Sequence, residues 1–308
     1  MPRTVNQIAD SFSAQEVQSE ILCVGHSRAQ LGEGPVWSPQ ERSLYWVDVA
    51  LHVVHRIDRD NGHESAFALR DIVSVVTPSV SGDLLVATSG GLLMMDVASG
   101  RARQLSHPES GQTGKRYNDG KCDRLGRLWI GSMDINAAQN RGNLFRVCGD
   151  GICTQMDSGF TIPNGIGWSP DNRRMYFTDT GTATIYQYDF DLASGSISNR
   201  RPLIVFDEAD GRPDGLTVDA DGCLWVAMWD GWHIARISPD GRPMLRVRMP
   251  VPRPTSCCFG GEKLDTLFVT SASIRLSQEQ LHRAPLSGGV FAFCVPGVHG
   301  LPESPFAG

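Results

Sequence analysis

A short sequence pattern recurs six times along this chain of 308 residues. Each copy is a run of five residues that starts with Leu or Met and contains aromatic residues or Val, and five of the six copies end in a small or polar residue. The copies begin at Leu44, Leu84, Leu128, Met175, Leu224 and Leu267, which are 40 to 49 residues apart. This composition is typical of β-strands. Its regular recurrence indicates a repeat architecture, which restricts the fold more than any other feature of the sequence.

Each repeat contains four strand-like segments. A turn precedes every run, and a further apolar segment, such as Gly34–Trp37, precedes most of the turns. Two alternating segments follow the run, as in His52–Ile57 and Ser65–Leu69. A four-stranded antiparallel unit of about 40–45 residues is the size of a propeller blade. The sequence therefore predicts an all-β fold, a six-bladed β-propeller with four antiparallel strands per blade, rather than a pair of β-sandwiches.

The six repeats fill the chain and predict a single propeller domain over residues 1–308. The blades are expected at roughly 30–70, 71–108, 114–157, 160–206, 211–250 and 253–294. The last repeat shows only three strands before the chain ends. Residues 19–24 form a spare strand near the N-terminus, and we expect them to complete the last blade and close the ring, which removes an exposed sheet edge.

Charge and composition argue against several classes of partner. The net charge of −6 disfavours binding to nucleic acid or to an anionic membrane surface. No segment approaches the roughly 18 apolar residues that a membrane helix needs, and Met1–Ser13 lacks the apolar run of a secretory signal. The eight cysteines form no C-x-x-C motif and are expected to be reduced thiols. We therefore expect a cytoplasmic protein, monomeric or weakly homo-oligomeric, with no nucleic-acid or membrane partner.

Four polar residues occupy the same position in their repeats, ten or eleven residues before the five-residue run. They are Glu33, Asn118, Asn164 and Asp214. In a propeller the first strands line the central channel, so these side chains converge at one mouth. Neighbouring carboxylates repel each other unless a cation lies between them. Oxygen ligands favour Ca²⁺, Mg²⁺ or Mn²⁺. Each glycine-containing motif would also suit a simple turn, but the shared position favours a metal site.

The sequence gives little support for other catalytic mechanisms. It contains no G-x-S-x-G elbow, phosphate-binding P-loop or strand-linked G-x-G-x-x-G motif, and no histidine falls at the channel position.

Two long connections, residues 133–142 and 272–288, are expected on the same face as the four polar residues. Long loops over a channel mouth usually shape a ligand site, although they would also serve as caps of the rim.

The chain resembles the regucalcin (senescence marker protein)/gluconolactonase family of six-bladed propellers over about residues 30–294. The matching motifs are Leu31–Trp37, Arg116–Lys121, Gly131–Met133, Pro163–Ser169, Tyr176–Asp179, Pro213–Asp219, Thr270–Ala272 and Gly288–Phe293. Residues 1–18 and 299–308 match no motif of the family.

The resemblance implies one divalent metal ion held by Glu33, Asn164 and Asp214. It also implies substrate contacts from Arg116 and Asn118, and the hydrolysis of sugar lactones. The identity of the ion stays open among Ca²⁺, Zn²⁺, Mg²⁺, Mn²⁺ and Fe²⁺. Animal members carry a Glu in the loop after the G-[ST]-M motif, where this chain has Asp134, Ile135 and Asn136. The sugar preference of those members therefore does not carry over.

Both lines of reasoning lead to metal-dependent hydrolysis of an aldonolactone to the aldonic acid. Asp214 is the expected general base, because it would border both the metal and the incoming water. Asp134 and Asn136 are expected to contact the outer hydroxyl groups of the sugar. A phosphotriester or aryl-ester hydrolase, a non-enzymatic calcium-binding regulatory protein and a binding scaffold remain as alternatives.

Overall fold

The computed structural model describes residues 15–17 and 19–308, and within them it is built almost entirely of β-strands. Six separate sheets each contain four antiparallel strands, which confirms the predicted six-bladed propeller. The four strands are consecutive along the chain in every sheet but one, whose outermost strand comes from the N-terminal part of the chain. The expectation that Met1–Ser13 is no secretory signal lies outside the described residues. Two short strands precede the repeats, β1 (Gln15–Val17) and β2 (Leu22–Val24).

The first three blades follow one another along the chain. Blade one contains β3 (Gly32–Ser38), β4 (Ser43–Asp48), β5 (Val53–Asp58) and β6 (Glu64–Ala68). Blade two contains β7 (Val73–Pro78), β8 (Leu84–Thr88), β9 (Gly91–Met95) and β10 (Ala102–Ser106). Blade three contains β11 (Lys115–Cys122), β12 (Leu128–Asp134), β13 (Gly142–Val147) and β14 (Cys153–Phe160).

The last three blades repeat this order, with additions from the N-terminal strands. Blade four contains β15 (Pro163–Trp168), β16 (Arg174–Asp179), β17 (Thr184–Asp191) and β18 (Ser196–Val205). Blade five contains β19 (Arg212–Val218), β20 (Leu224–Trp229), β21 (His233–Ile237) and β22 (Pro243–Arg248). Blade six contains β23 (Pro254–Gly260), β24 (Thr266–Ser271) and β25 (Val290–Cys294), and β2 pairs with β25 as its outermost strand.

The outer edge of blade five carries a strand that the sequence analysis did not predict. β1 pairs in parallel with β22 and makes this sheet five-stranded. The second strand of every blade begins within one residue of the predicted position, from β4 at Ser43 to β24 at Thr266.

Helical structure is scarce in the described chain. The long connection between β24 and β25 holds α1 (Gln278–Arg283), whose first turn is stabilised by a capping box between Ser277 and Gln280. Two 3₁₀ turns occur at Thr180–Thr182 and Glu208–Asp210. None of the described helices is long and apolar enough to cross a membrane.

Each pair of neighbouring blades shares one apolar core. Six clusters of buried residues fill the six interfaces around the ring. Trp46, Trp129 and Trp225 are almost completely buried within them. Since side chains alternate between the two faces of a strand, each sheet packs against the blade before it and the blade after it. The first strands contact one another in sequence around the ring and so line the central channel.

All six first strands have a bulge at the same level of the channel. The pairing with the second strand is interrupted between Glu33 and Val36, Val73 and Val75, Tyr117 and Gly120, Pro163 and Ile166, Pro213 and Leu216, and Pro254 and Ser256. A bulge bends the strand and re-aims side chains away from the regular alternation. The bulges therefore set which residues face the channel mouth.

Candidate metal and active site

The predicted ligands lie at this ring of bulges. Glu33 is the last paired residue before the bulge of β3, whereas Asn164 and Asp214 lie inside the bulges of β15 and β19. The charge of Asp214 acts directly on Glu33, and the Asn164 side chain lies close enough to Asp214 to lower the pKa of its carboxyl group in part. The structure thus brings together three oxygen-bearing side chains from blades one, four and five, as the repeat position predicts.

The two carboxyl groups are held in an environment that disfavours their ionised forms. Burial raises the pKa of Glu33 well above its ordinary value, and the charges of Asp214 and Asp119 raise it further. Burial also raises the pKa of Asp214 well above its ordinary value, and the charge of Asp119 adds to this effect. Two carboxylates that share a desolvated site repel each other, so a cation between them would favour ionisation of both.

The Asn164 amide is fixed in one orientation. Its Nδ2 donates to Thr180 Oγ1 at 3.1 Å, and the Thr180 hydroxyl in turn donates to the Pro213 carbonyl oxygen at 2.7 Å. The hydrogen bond from Nδ2 fixes the plane of the amide, and Oδ1, which is buried without a partner in the described chain, is the oxygen available to a cation. The side chain as a whole is 4% exposed.

Two buried oxygens of the site have no hydrogen-bond partner among the described residues. They are Asn164 Oδ1 and Asp214 Oδ1. A buried polar atom without a partner costs free energy, and a hard cation would satisfy both oxygens together with Glu33. Within the described chain no three residues of the types His, Cys, Asp and Glu form a metal cluster. The candidate set holds only two carboxylates, with an amide as the third member, and its donor chemistry fits an oxygen-preferring divalent ion.

Structural aspartates hold the backbone just before two of these residues. Asp48, at the end of β4, accepts hydrogen bonds from the backbone N–H groups of Gln30 and Leu31. Asp179, at the end of β16, accepts from those of Thr161 and Ile162. The Tyr176–Asp179 motif therefore fixes the loop that leads into Asn164.

The glycines after Asn164 and Asp214 permit the close approach of neighbouring first strands. A Cβ atom on Gly165 would lie 2.6 Å from the Leu216 backbone nitrogen, and one on Gly215 would lie 2.1 Å from Ser256 Oγ. Any larger residue at these positions would push adjacent blades apart at the channel. The Asn-Gly and Asp-Gly pairs thus have a packing role here, not the turn role that such pairs often have.

The predicted substrate-binding residues Arg116 and Asn118 are joined to each other. Arg116 Nη1 donates to Asn118 Oδ1 at 2.8 Å and to the Tyr117 carbonyl oxygen at 3.0 Å. Asn118 Nδ2 donates to the Pro163 carbonyl oxygen at 2.7 Å. An amide nitrogen carries two hydrogens, so one N–H of Asn118 is left for a ligand. The positive charge of Arg116 offsets a small part of the rise in the pKa of Glu33, so this pair lies beside the candidate metal ligands.

Asp119 is a member of the site that the sequence analysis did not single out. Its charge raises the pKa of both Glu33 and Asp214, and burial raises its own pKa to about 6. The repeat position assigned one residue per blade to the channel, whereas the bulge of β11 takes both Asn118 and Asp119 out of the regular pairing. Its position directly after Asn118 in the Asn118–Gly120 motif is the sequence signal from which Asp119 could have been identified.

The two long connections lie on the face of the candidate site. Both join the second and third strands of their blades, and that end of each blade also carries the start of the first strand. Ile135 N donates to the Gly114 carbonyl oxygen at 2.9 Å, and Ile274 N donates to that of Gln30 at 2.8 Å. The loops are thereby tied to the starts of the first strands of blades three and one.

Asp134 and Asn136 differ in their surroundings. Asp134 is buried, its Oδ1 accepts from the Asn136 backbone N–H at 2.9 Å, and its Oδ2 lies 3.4 Å from Arg141 Nε. Asn136 is exposed. Asp134 therefore stabilises the loop, and of the two side chains Asn136 is the more accessible to a ligand. A substrate contact from either one remains a prediction.

Fold and site together define a six-bladed propeller with a buried oxygen site at one mouth of its channel. Residues 31–273 match the family described as SMP-30/Gluconolactonase/LRE-like region. Regucalcin of Gallus gallus is 35% identical over 295 residues, which cover 94% of this chain and 99% of that protein. The 6-deoxy-6-sulfogluconolactonase of Pseudomonas putida is 36% identical over 289 residues, with coverage of 94% and 99%.

A solved structure from Agrobacterium tumefaciens, described as the calcium-binding protein regucalcin, has a TM-score of 0.91 at 28% identity. The similarity covers 96% of this chain and 99% of that one. The chain belongs to the SMP-30/gluconolactonase/LRE-like family, as its motifs indicated.

Proposed function

We propose that this protein is a divalent-metal-dependent lactonase that hydrolyses a sugar lactone to the corresponding aldonic acid. The observation that carries the proposal is the set of oxygens of half-buried Glu33 and of buried Asn164 and Asp214 at one level of the channel, two of them without a partner in the described chain. Family membership supports the same reaction class, since a relative that matches nearly the whole chain is named as a sugar lactonase.

Glu33, Asn164 and Asp214 would hold the metal ion. When bound, such an ion polarises the lactone carbonyl and stabilises negative charge on its oxygen. The two carboxylates supply the negative charge that favours a cation, and the fixed Asn164 amide supplies a neutral third oxygen. Ca²⁺, Zn²⁺, Mg²⁺, Mn²⁺ and Fe²⁺ are all compatible with this set.

Asp214 is proposed to act as the general base. Its carboxylate would accept a proton from the water that attacks the lactone carbonyl carbon. As the carbonyl carbon–ring oxygen bond breaks, the same proton would pass to the ring oxygen, which becomes a hydroxyl group of the product. Burial favours this role, because a desolvated carboxylate binds a proton more strongly than one in water, which raises the pKa of the carboxyl group.

Arg116 and Asn118 are proposed to bind the substrate. The remaining N–H groups of both side chains would donate to sugar hydroxyls or to the carbonyl oxygen as negative charge develops on it. The loop that contains Asp134 and Asn136 would contact hydroxyl groups at the outer end of the sugar, so differences in this loop would alter which sugars are accepted.

The decisive experiment combines a substrate panel with controlled metal loading. The protein is stripped with a chelator and each of the five divalent ions is added back alone. Rates are then measured on five- and six-membered aldonolactones, a phosphotriester and an aryl ester. We expect hydrolysis of at least one aldonolactone that depends on the added ion, with much lower rates on the other two substrate classes.

Two variants locate the activity. Asp214→Asn is expected to lose it, whereas Asp240→Asn, which removes the same charge from an exposed aspartate, is expected to keep it. Faster turnover of the phosphotriester or the aryl ester would replace the lactonase proposal. Tight calcium binding without turnover of any substrate would favour a calcium-binding regulatory protein. The Agrobacterium relative is itself described as a calcium-binding protein.

A further inference from the structure

The C-terminal segment crosses the channel on the face opposite the candidate site. The Ala220 backbone N–H donates to the His299 carbonyl oxygen at 2.8 Å, and the Gly300 N–H donates to that of Leu264 at 2.7 Å. Both partners lie in turns between the first and second strands, in blades five and six. Such turns lie at the end of each blade remote from the ring of bulges.

The segment then continues to the other side of the ring. The Phe306 N–H donates to the Pro78 carbonyl oxygen at 2.8 Å, and the Ala307 N–H donates to that of Gly126 at 2.9 Å. Phe306 is fully buried in the core shared by blades two and three. Residues 300–307 therefore form a floor anchored on blades five and six at one end and on blades two and three at the other.

Glu303 lies at the centre of this floor and pairs with a lysine inside the channel. Its Oε1 is 2.8 Å from Lys121 Nζ, and the two side chains are 13% and 20% exposed. Lys121 Nζ also donates to the Leu216 carbonyl oxygen at 3.3 Å. Ion pairs shielded from solvent are screened far less than surface pairs, so this charge pair acts on its surroundings within the channel.

The ion pair connects to the candidate site through Asp119. A cavity of about 20 Å³, room for roughly one water molecule, is lined by Asp119, Lys121 and Glu303 together. The positive charge of Lys121 acts on Asp119, whose own charge acts on Glu33 and Asp214. From the floor upwards, the charges are therefore negative on Glu303, positive on Lys121 and negative on Asp119, which lies next to the candidate cation site.

We propose that Glu303 is a positioning residue that strengthens cation binding at the channel mouth, because it neutralises Lys121 beneath the site. Without it the lysine charge would offset the negative charge of Asp119, and an incoming cation would meet a more positive channel. The inference rests on the proposed function only for the cation site and not for the reaction catalysed there.

The test measures cation affinity directly by calorimetric titration of the full chain with Ca²⁺ alone and with Mn²⁺ alone. Glu303→Gln is expected to raise the dissociation constant on the order of five-fold, the scale of one charge acting across a partly screened interior. Lys121→Gln is expected to lower it. The double variant, which removes both charges, is expected to return within about two-fold of the unaltered protein, since the two effects oppose each other.

A matched control separates this effect from net charge. Glu262→Gln removes a carboxylate on the same face whose side chain is 73% exposed, and it should leave the affinity unchanged. Opposite changes in the dissociation constant of the two single variants exclude a merely structural role, since loss of folding would weaken cation binding in both. If Glu303→Gln does not fold, the tighter binding expected of Lys121→Gln still decides the matter.

Two results would overturn the inference. One is a Glu303→Gln dissociation constant equal to that of the unaltered protein, and the other is a double variant that binds no better than Glu303→Gln. Failure of the unaltered protein to bind any divalent ion would remove the proposed cation site and this inference together. Cation binding that responds to Glu303 in a protein without lactonase activity would refute the proposed reaction and support the inference.

Discussion

At the scale of single residues, the site combines groups that are costly to bury. Glu33 and Asp214 each have a raised pKa, and Asn164 keeps a buried carbonyl oxygen without a partner in the described chain. Such costs are tolerated in folded proteins mainly where a function or a ligand offsets them. The same side chains on a protein surface would be ordinary, and their meaning here comes from desolvation and proximity.

Asp214→Asn separates the two proposed roles of this residue. The amide keeps an oxygen for a metal ion but cannot accept a proton. We expect residual cation binding at high metal concentration and a fall in kcat of roughly 10²-fold or more, the usual scale for loss of a general base. Calorimetry and steady-state kinetics on the metal-loaded variant check both. Substantial lactonase activity in that variant would rule out Asp214 as the base.

Cation affinity should rise with pH across the acidic to neutral range. The pKa values of Glu33 and Asp214 are raised above their ordinary values, so part of each carboxyl group stays protonated above pH 4 to 5 in the metal-free protein. A cation must displace those protons, and its binding is therefore weaker at pH 5 than at pH 8. Calorimetry in buffers with different heats of ionisation would detect the released protons. A pH-independent affinity with no proton release would contradict the raised pKa values.

At the scale of elements, the bulges in the first strands direct side chains of these strands towards the channel, where they can bind a ligand. A regular strand alternates its side chains between the two faces of the sheet, and both faces are buried against neighbouring blades here. Only an interruption of the ladder presents residues such as Asn164 and Asp214 to the channel. The glycine that follows each of them lets the neighbouring first strand pack at close range.

Gly215→Ala should destabilise the contact between blades five and six. The new methyl group would lie 2.1 Å from Ser256 Oγ and 2.7 Å from Ser256 Cα. Because the clash includes backbone, we expect a loss of about 1–3 kcal/mol in the free energy of unfolding, as for other overpacked cores. Denaturant unfolding measures this loss. Adding Ser256→Gly removes the two closest atoms and should restore part of the stability, and a double variant no more stable than the single one would show that the clash lies elsewhere.

At the scale of the whole molecule, the ring is closed twice. β2 completes the sheet of blade six, and the C-terminal segment bridges the floor of the channel from blades five and six to blades two and three. Each blade pair has its own apolar core, so the closures fix the relative positions of the blades that carry the site. A shift of any one blade would separate the oxygens that converge at the channel mouth.

Phe306→Ala should weaken the floor through loss of packing. The ring is fully buried among residues of blades two and three, and removal of a buried Phe side chain costs about 3–5 kcal/mol. We expect a lower unfolding temperature for this variant and little change for Leu125→Ala, whose side chain is half exposed. Thermal unfolding followed by circular dichroism compares the two. Equal stability of both variants would show that the terminal segment contributes nothing to the fold.

Much of the fold was predictable because it depends on local patterns. Apolar runs such as Leu44–Asp48 are strand-forming wherever they occur, and their spacing reveals the number of blades. The position shared by Glu33, Asn164 and Asp214 followed from counting residues along equivalent strands. The parallel pairing of β1 with β22 was not predictable, since it joins residues more than two hundred positions apart through backbone hydrogen bonds that favour no particular side chains.

The strand periodicity, the number of repeats and the oxygen-bearing residues at the shared repeat position can all be read from the amino-acid sequence. These properties follow from side-chain chemistry and spacing along the chain. Three further features depend on contacts between blades and loops. The bulge of β11 releases Asn118 and Asp119 together, Asp134 is engaged within its own loop, and Glu303 pairs with Lys121 across 182 positions of the chain. Those outcomes depend on which surfaces are desolvated together when six blades close into a ring, and charges interact strongly only where water is excluded.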